Sequence, residues 1–378
     1  MTRLPPWIGE TARALWLRAA DTGLLGYSHR LSPMGFGPVP AGVAEQTVLD
    51  LDGWCPSAPQ PVRLVSHPYR SSALPSYPSI ETWALLDGVS SAQAAAYRQI
   101  QFHTIRLALR RDAQVLEGSY AVFPHLTSHF GHWVGDQLGA ILWFASDRRI
   151  TAGGRRLLVT APSPQWAAWL EQVCPPGSLE LWRPEQLLRE NYLLANALIL
   201  PRLSPWQNLA LARDAVGVAL ALAAAAPQGQ SEKLFLSSLR PERIANLEQV
   251  CSVFQRHGYA VLDPTGVPIA ELLQRLRGTQ RLWCEHGSMV LNPLLCRSHP
   301  YRVLQLDHAH AARHDPAAAL LGGGLYNGFH RALQQPFACP PADPSPELDR
   351  GQHPYQRQLQ PDLASLEQAL LREADPLP

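Results

Sequence analysis

The chain has 378 residues, 46 % of them hydrophobic and 17 % charged, which supplies apolar mass for about two folded units and excludes a disordered or collagen-like chain. Its 32 Lys plus Arg stand against 31 Asp plus Glu, a formal charge of +1, so no overall field draws it to nucleic acid and any anion must be met locally. Six scattered cysteines at no framework spacing, an N-terminus without an apolar signal core and a longest apolar run, 215–226, too short to cross a bilayer all point to a cytoplasmic protein, with peripheral membrane association left open.

Residues 1–60 are rich in Pro, Gly and Ala and predict a short helix at 12–20 followed by an irregular segment. Alternation predicts strands at 62–65, 101–109 and 114–123, and an apolar helix follows over 129–144. Short apolar runs then predict strands at 156–160, 178–182 and 197–200, with a helix at 164–173 and a long one at 205–226. The Pro227-Gln-Gly229 break is the best domain boundary. Beyond it the alternation restarts, with strands at 233–236, 259–262, 281–284 and 302–306 and helices at 243–257, 268–276 and 288–295. Residues 336–361 are Pro-rich and predict loop, and 362–373 an amphipathic terminal helix. The expected organisation is therefore an irregular segment to residue 60, one domain over 61–226, a second over 227–335 and a tail over 336–378. Strands separated by helices call for parallel pairing with crossovers, hence an α/β fold with two doubly wound units.

Three polar groups interrupt this apolar pattern. In Ser128-His-Phe-Gly-His-Trp-Val-Gly-Asp136, a helix puts His129, His132 and Asp136 roughly on one face, where they could hold a metal, accept a proton, or be core histidines bonded to backbone. In Trp283-Cys-Glu-His-Gly-Ser-Met-Val-Leu-Asn292 a strand passes through Gly287 and Ser288 into a helix whose first amides suit a phosphate, or form an ordinary turn. In the segment from Phe235 to Asn246, Arg240 and Arg243 follow a strand end, where guanidinium forks pair with a diphosphate or simply stay solvated. Two metal-like patterns are weaker: Cys284, His286, Cys296 and His299 have a first gap too short for a zinc knuckle, and His308, His310 and His314 read as surface histidines.

Taken in order, these groups resemble glycosyltransferase family 61, which includes bacterial cell-surface polysaccharide-synthesis proteins. The resemblance runs from about Phe123 to Leu306. It is carried by His132-Trp-Val-Gly-Asp136, by Phe235-Leu-Ser237 with Arg243-Ile-Ala-Asn246, by Gly258-Tyr-Ala-Val261, and by His286-Gly-Ser-Met-Val-Leu-Asn292. The chain departs from the family where Ser238 replaces an arginine, Leu247 an acidic residue and Gln305 a glutamate; Arg240 could restore the missing charge.

The resemblance implies a GT-B-like fold of two facing Rossmann-like domains with a cleft between them, and an inverting transfer of sugar from a nucleotide-sugar donor to a saccharide acceptor. The donor would be held by Ser237, Arg240, Arg243, Asn246, His286, Gly287, Ser288, Asn292 and Gln305. Asp136 would serve as general base with His132 orienting it or the acceptor. No cofactor or obligatory metal is expected, because arginine, histidine and helix amides can stabilise the leaving diphosphate. The alternatives are a non-catalytic sugar-binding or assembly subunit of the same fold and a metal-dependent hydrolase built on His129, His132 and Asp136.

Overall fold

A computed structural model describes residues 51, 54–56, 58–68, 80–86, 112–189, 191–201, 203, 205–222, 232–297, 299–306, 333–340, 342 and 358–374. The helix expected at 12–20, the strand at 101–109, the break at 227–229 and the histidines at 308, 310 and 314 lie outside them, as does most of the segment before residue 60. The chain divides into two compact units, one from Val48–Ala225 with Gly266–Glu271, the other from Ala226–Thr265 and Leu272 onward. Among the described residues no helix is long and apolar enough to cross a membrane.

The first unit begins with β1 (Gln60–Pro68), β2 (Ile80–Leu86), β3 (Ala113–Val122) and β4 (His125–Thr127). The chain then enters α1 (Phe130–Trp133), a π-helical turn (Val134–Leu138) and α2 (Gly139–Ser146), followed by the single turn α3 (Arg148–Thr151). Next come β5 (Arg156–Thr160), α4 (Pro164–Val173), β6 (Leu179–Trp182), α5 (Pro184–Arg189), β7 (Asn191–Ile199) and α6 (Pro205–Leu222). The start of α4 was legible in Ser163-Pro164: the serine hydroxyl accepts from Trp166 N at 3.4 Å, the proline supplies a preset φ, and Trp166, Trp169 and Leu170 form the buried face.

The seven strands lie in the order β4-β2-β1-β7-β3-β5-β6. Of these, β7, β3, β5 and β6 pair parallel, as expected, whereas β4, β2 and β1 join antiparallel. The expectation of parallel pairing throughout is therefore corrected for this edge, where neighbouring strands need no crossover helix. Strand β2 escaped prediction because its inward face is Ile80, Thr82 and Ala84, and the polar Thr82 breaks the apolar alternation. Thr82 is tolerated inside because its hydroxyl bonds that of Ser66, its β1 partner, at 2.7 Å. Counted in chain order, the parallel strands β3, β5, β6 and β7 run 3-2-1-4 across the sheet, so the winding reverses between β3 and β7.

An ion pair closes the end of α2. Asp147 accepts from Arg149 N at 2.8 Å and from its guanidinium at 2.7 to 3.1 Å, and the same guanidinium donates to the carbonyls of Trp54 and Leu51. Burial pushes the Asp147 carboxyl up, but the hydrogen bonds and charge of Arg149 outweigh it and hold the group below its ordinary value. A depressed native value contributes stability that is complete above the unfolded value, about 4, and is lost as pH falls through the native one. Asp147→Asn should therefore cost about 0.5 to 1 kcal/mol at pH 7, discounted because Arg149 is one-third exposed, and progressively less toward pH 3. Urea melts at both pH values test this, and an equal loss at each would refute it.

The second unit contains β8 (Lys233–Leu236), α7 (Leu247–Arg256), β9 (Ala260–Leu262), α8 (Ile269–Gly278) and β10 (Arg281–Glu285). A 3₁₀ turn (Ser288–Val290), α9 (Leu291–Cys296), β11 (Tyr301–Leu306), β12 (Gln334–Cys339) and α10 (Leu363–Ala374) complete it. All five strands pair parallel in the order β12-β11-β10-β8-β9. In chain order this is 2-1-3-4-5, a doubly wound arrangement that reverses between β8 and β10. Each sheet is flanked by helices, so the protein is a two-unit α/β structure of Rossmann-like type.

The loop expected from residue 336 is in part strand. Pro336 interrupts the pattern in sequence, yet it sits in β12 at the sheet edge, where its missing N–H costs no ladder bond. The core beside this sheet stacks Phe235 on Phe254 at 4.1 Å and sets Trp283 edge-on to Phe254 at 5.4 Å. Helix α10 contributes Leu366 and Leu370 to it. Its Glu373 accepts from Tyr259 Oη at 2.8 Å, Trp283 Nε1 at 3.0 Å and Arg302 Nε at 2.9 Å, which fastens the helix end to β10, to β11 and to the residue just before β9.

Candidate functional site

Ligands of doubly wound sheets bind beyond the carboxyl ends of strands at the point where the winding reverses. The second unit places a sequence-derived group there, and in the first unit another group lies on the helix that follows β3 and β4. In the first, the ends of β3 and β7 are joined by Leu200 N donating to Val122 O at 2.9 Å, and the chain leaving β3 runs through β4 into α1. Ser128 Oγ accepts from Ile80 N at 2.9 Å and Thr127 Oγ1 accepts from His129 N at 3.1 Å, which sets the entry to the helix. One turn later His132 Nδ1 lies 3.4 Å from Asp136 Oδ2, with the side chains 20 % and 10 % exposed, so the pair is mostly buried yet reachable. The His129 ring lies 5.3 Å from that of His132.

Asp136 belongs to the π-helical turn rather than to regular α-helix. Buried side chains clamp this turn on both sides. Gln137 donates to His125 O at 2.7 Å, and Trp133 Nε1 donates to Thr160 O at 2.7 Å. From α6, Asn208 donates to Val134 O at 2.8 Å and accepts from Ala140 N at 2.9 Å.

The second group surrounds a carboxyl that no motif in the sequence singles out. Glu285, the last residue of β10 and 2 % exposed, accepts from Ser237 Oγ at 2.8 Å, Ser238 N at 2.9 Å and Ser238 Oγ at 2.9 Å. Arg243 Nε stands 4.0 Å from its other oxygen. The two serines follow directly on β8, so the network spans the reversal between β8 and β10. Ser237 Oγ also accepts from Leu239 N at 3.1 Å, and Leu239 takes a left-handed φ of 53° that a non-glycine residue seldom adopts. Ser238, noted as a departure from the family pattern, is thus a hydrogen-bonding partner of Glu285.

Gly287 follows with φ +100° and ψ −156°, a glycine-only conformation, and a Cβ there would come 3.5 Å from the Arg243 guanidinium. Arg243 therefore lies over the backbone that leads into the 3₁₀ turn at Ser288. A side chain at Gly287 would strain the backbone whatever else it did, so it cannot separate ligand loss from distortion.

The structure brings Ser237, Arg243 and Gly287 together. Asn246 faces elsewhere, donating to Pro361 O at 2.9 Å, and Asn292 is buried and donates to Met289 O at 3.3 Å within its own turn. His286 and Gln305 are buried at the carboxyl ends of β10 and β11, while Arg240 and Ser288 are half-buried. The helix expected from residue 243 begins only at Leu247, because the preceding turn is tied to the tail: Leu359 N donates to Arg243 O and Ala245 N to Leu359 O, both at 2.8 Å. Gln358 Nε2 adds a bond to Pro241 O. Nothing in local sequence announces a partner more than a hundred residues away. Glu285 carried a signal, an acidic residue closing the apolar run Leu282-Trp-Cys.

Among the described residues no three His, Cys, Asp or Glu side chains converge as metal ligands. Cys284 is fully buried, and burial followed by the neighbouring Glu285 raises its thiol well above the ordinary value. No protein-family model matches the chain, and no curated protein matches it significantly.

Proposed function

We propose that the protein is an inverting glycosyltransferase of the GT-B type, similar to family 61, which transfers a sugar from a nucleotide-sugar donor to a saccharide acceptor in cell-surface polysaccharide synthesis in the cytoplasm. The observation that carries this reading is the Ser237, Ser238, Arg243 and Glu285 network, closed by Gly287, at the winding reversal of a fully parallel sheet. Such a position supplies a phosphate ligand with a guanidinium fork, an open backbone and strand-end amides at once. The mostly buried His132–Asp136 pair of the first unit supports an acid–base role toward the acceptor hydroxyl. In that role the pair accepts the hydroxyl proton as the oxygen attacks the anomeric carbon, while Arg243, with Arg240 nearby in sequence, offsets the charge growing on the diphosphate. No divalent ion is required in this scheme.

The direct test is nucleotide binding. Arg243→Ala should weaken nucleoside diphosphate affinity by about 1.5 to 3 kcal/mol, the range of a charge-assisted phosphate contact, and Arg240→Ala should weaken it further if that side chain reaches the same anion. Thermal-shift screening of wild type against nucleotides and nucleotide sugars, followed by calorimetry on the variants, reads this. Unchanged affinity in a folded double variant would remove the diphosphate site, and tight binding without any turnover would favour the non-catalytic subunit.

A further inference from the structure

The His132–Asp136 pair is built on a helical turn that departs from α geometry, and a single side chain from another helix bonds the backbone on both sides of Asp136. Asn208 is 0 % exposed and its carboxamide bonds Val134 O at 2.8 Å and Ala140 N at 2.9 Å. In a regular α-helix Val134 O would accept from residue 138 and Ala140 N would donate to residue 136, so both groups belong to the ladder that runs through Asp136. A side chain that takes up both ends of a stretch of ladder lets the backbone between them widen, and the widened stretch, Val134–Leu138, is the π-helical turn. Asn208 reaches the ladder because Gly139 has no side chain. A Cβ there would stand 1.8 Å from Asn208 O, so α6 lies directly against the backbone of the turn.

We infer that Asn208 is a positioning residue for the His132–Asp136 pair, holding open the π-helical turn that sets the angle between imidazole and carboxyl. With its carboxamide removed, the two backbone groups recover partners by closing the turn toward α geometry, and Asp136 rotates away from His132 Nδ1. A widened turn carries one more residue per loop than an α turn, so the offset between positions 132 and 136 depends directly on which form is present. This role rests on the proposed function only for its kinetic consequence, since the geometry of the pair can be read without turnover.

Two variants separate the outcomes. Asn208→Asp keeps an acceptor for Ala140 N but cannot donate to Val134 O, and Asn208→Ala removes both bonds. Imidazole ¹H–¹⁵N spectra, with His132 assigned through His132→Ala, should show the His132 signal of each folded variant moving toward its position in Asp136→Asn. Signals of histidines remote from this turn, such as His257 and His286 in the other unit, should stay in place. In turnover assays kcat should fall at least tenfold in Asn208→Ala and less in Asn208→Asp, with donor KM unchanged within about twofold. A wild-type His132 signal in a natively folded variant overturns the role of Asn208, whatever the activity. If wild type itself shows no sugar transfer, the functional proposal fails while the spectral shift still decides the structural one. Should Asn208→Ala not fold, the isosteric Asn208→Asp carries the test alone.

Discussion

Asp136→Asn should lower turnover by about 10² to 10⁴ with donor affinity nearly intact, the size of effect that loss of a general base produces. Asparagine preserves the volume of the side chain and its place in the turn, and removes only the capacity to take or hold a proton opposite His132. Because Nδ1 of His132 lies 3.4 Å from Asp136, the two act as a unit, and the carboxyl has a second task in fixing the ring orientation. His132→Ala should therefore also depress the rate, and should raise the acceptor KM more than it lowers kcat. Donor affinity should stay near wild type in both, because the residues proposed for the diphosphate belong to the other unit. Initial rates at saturating donor with varied acceptor give the answer. Near-normal turnover in Asp136→Asn with none in His132→Ala would reverse the roles, and full activity in both would remove this helix from the mechanism.

Gly139→Ala should destabilise the protein by at least about 3 kcal/mol. The added Cβ would stand 1.8 Å from Asn208 O, 2.7 Å from Asn208 C and 2.9 Å from Ala212 N, all backbone atoms of α6 that no rotamer change can move aside. Helix α6 would have to retreat, giving up close packing over its buried face and the two Asn208 bonds to the facing helix, each worth roughly 1 kcal/mol. Gly135, four residues earlier on the same helical segment, provides the control. A Cβ there meets nothing within 4 Å, and its backbone is not in the left-handed region, so Gly135→Ala should be neutral or stabilise by up to about 1 kcal/mol through reduced unfolded-state entropy. Denaturant melts of the two variants measure the contrast, and a Gly139→Ala stability within 0.5 kcal/mol of wild type, roughly the noise of surface substitutions, would sink the packing argument.

Much of the fold could be read from local pattern, and the reason is burial on both faces. Strands β5 and β8 sit inside parallel sheets, so their centres Leu157–Val159 and Leu234–Leu236 are uninterrupted apolar runs, and the observed strands Arg156–Thr160 and Lys233–Leu236 are those expected around them. Helix α4 matched to the residue because its cap and its proline are adjacent in the chain. Where a buried position is polar the pattern breaks, and β2 was missed at Thr82 for that reason alone. Strand β12 was missed because proline is a poor strand former everywhere except at an edge, and being at an edge is a property of the sheet.

The candidate site divides along the same line. Residue types one turn apart on a helix, His132 and Asp136, and the residues Arg243 and Gly287 that follow strand ends are local facts legible in the order of the chain, whereas Ser237 was singled out only by the family resemblance. The rest depends on contacts between segments far apart in the chain: Glu285 became the centre of its cluster when β10 paired with β8, Asn246 was turned to the carbonyl of Pro361 by the returning tail, and the form of the turn around Asp136 was set by Asn208, 72 residues beyond it. Helical and strand periodicity are written by neighbours within a few residues, whereas hydrogen bonds between packed elements are settled by which buried polar groups find partners once the sheets and helices have come together.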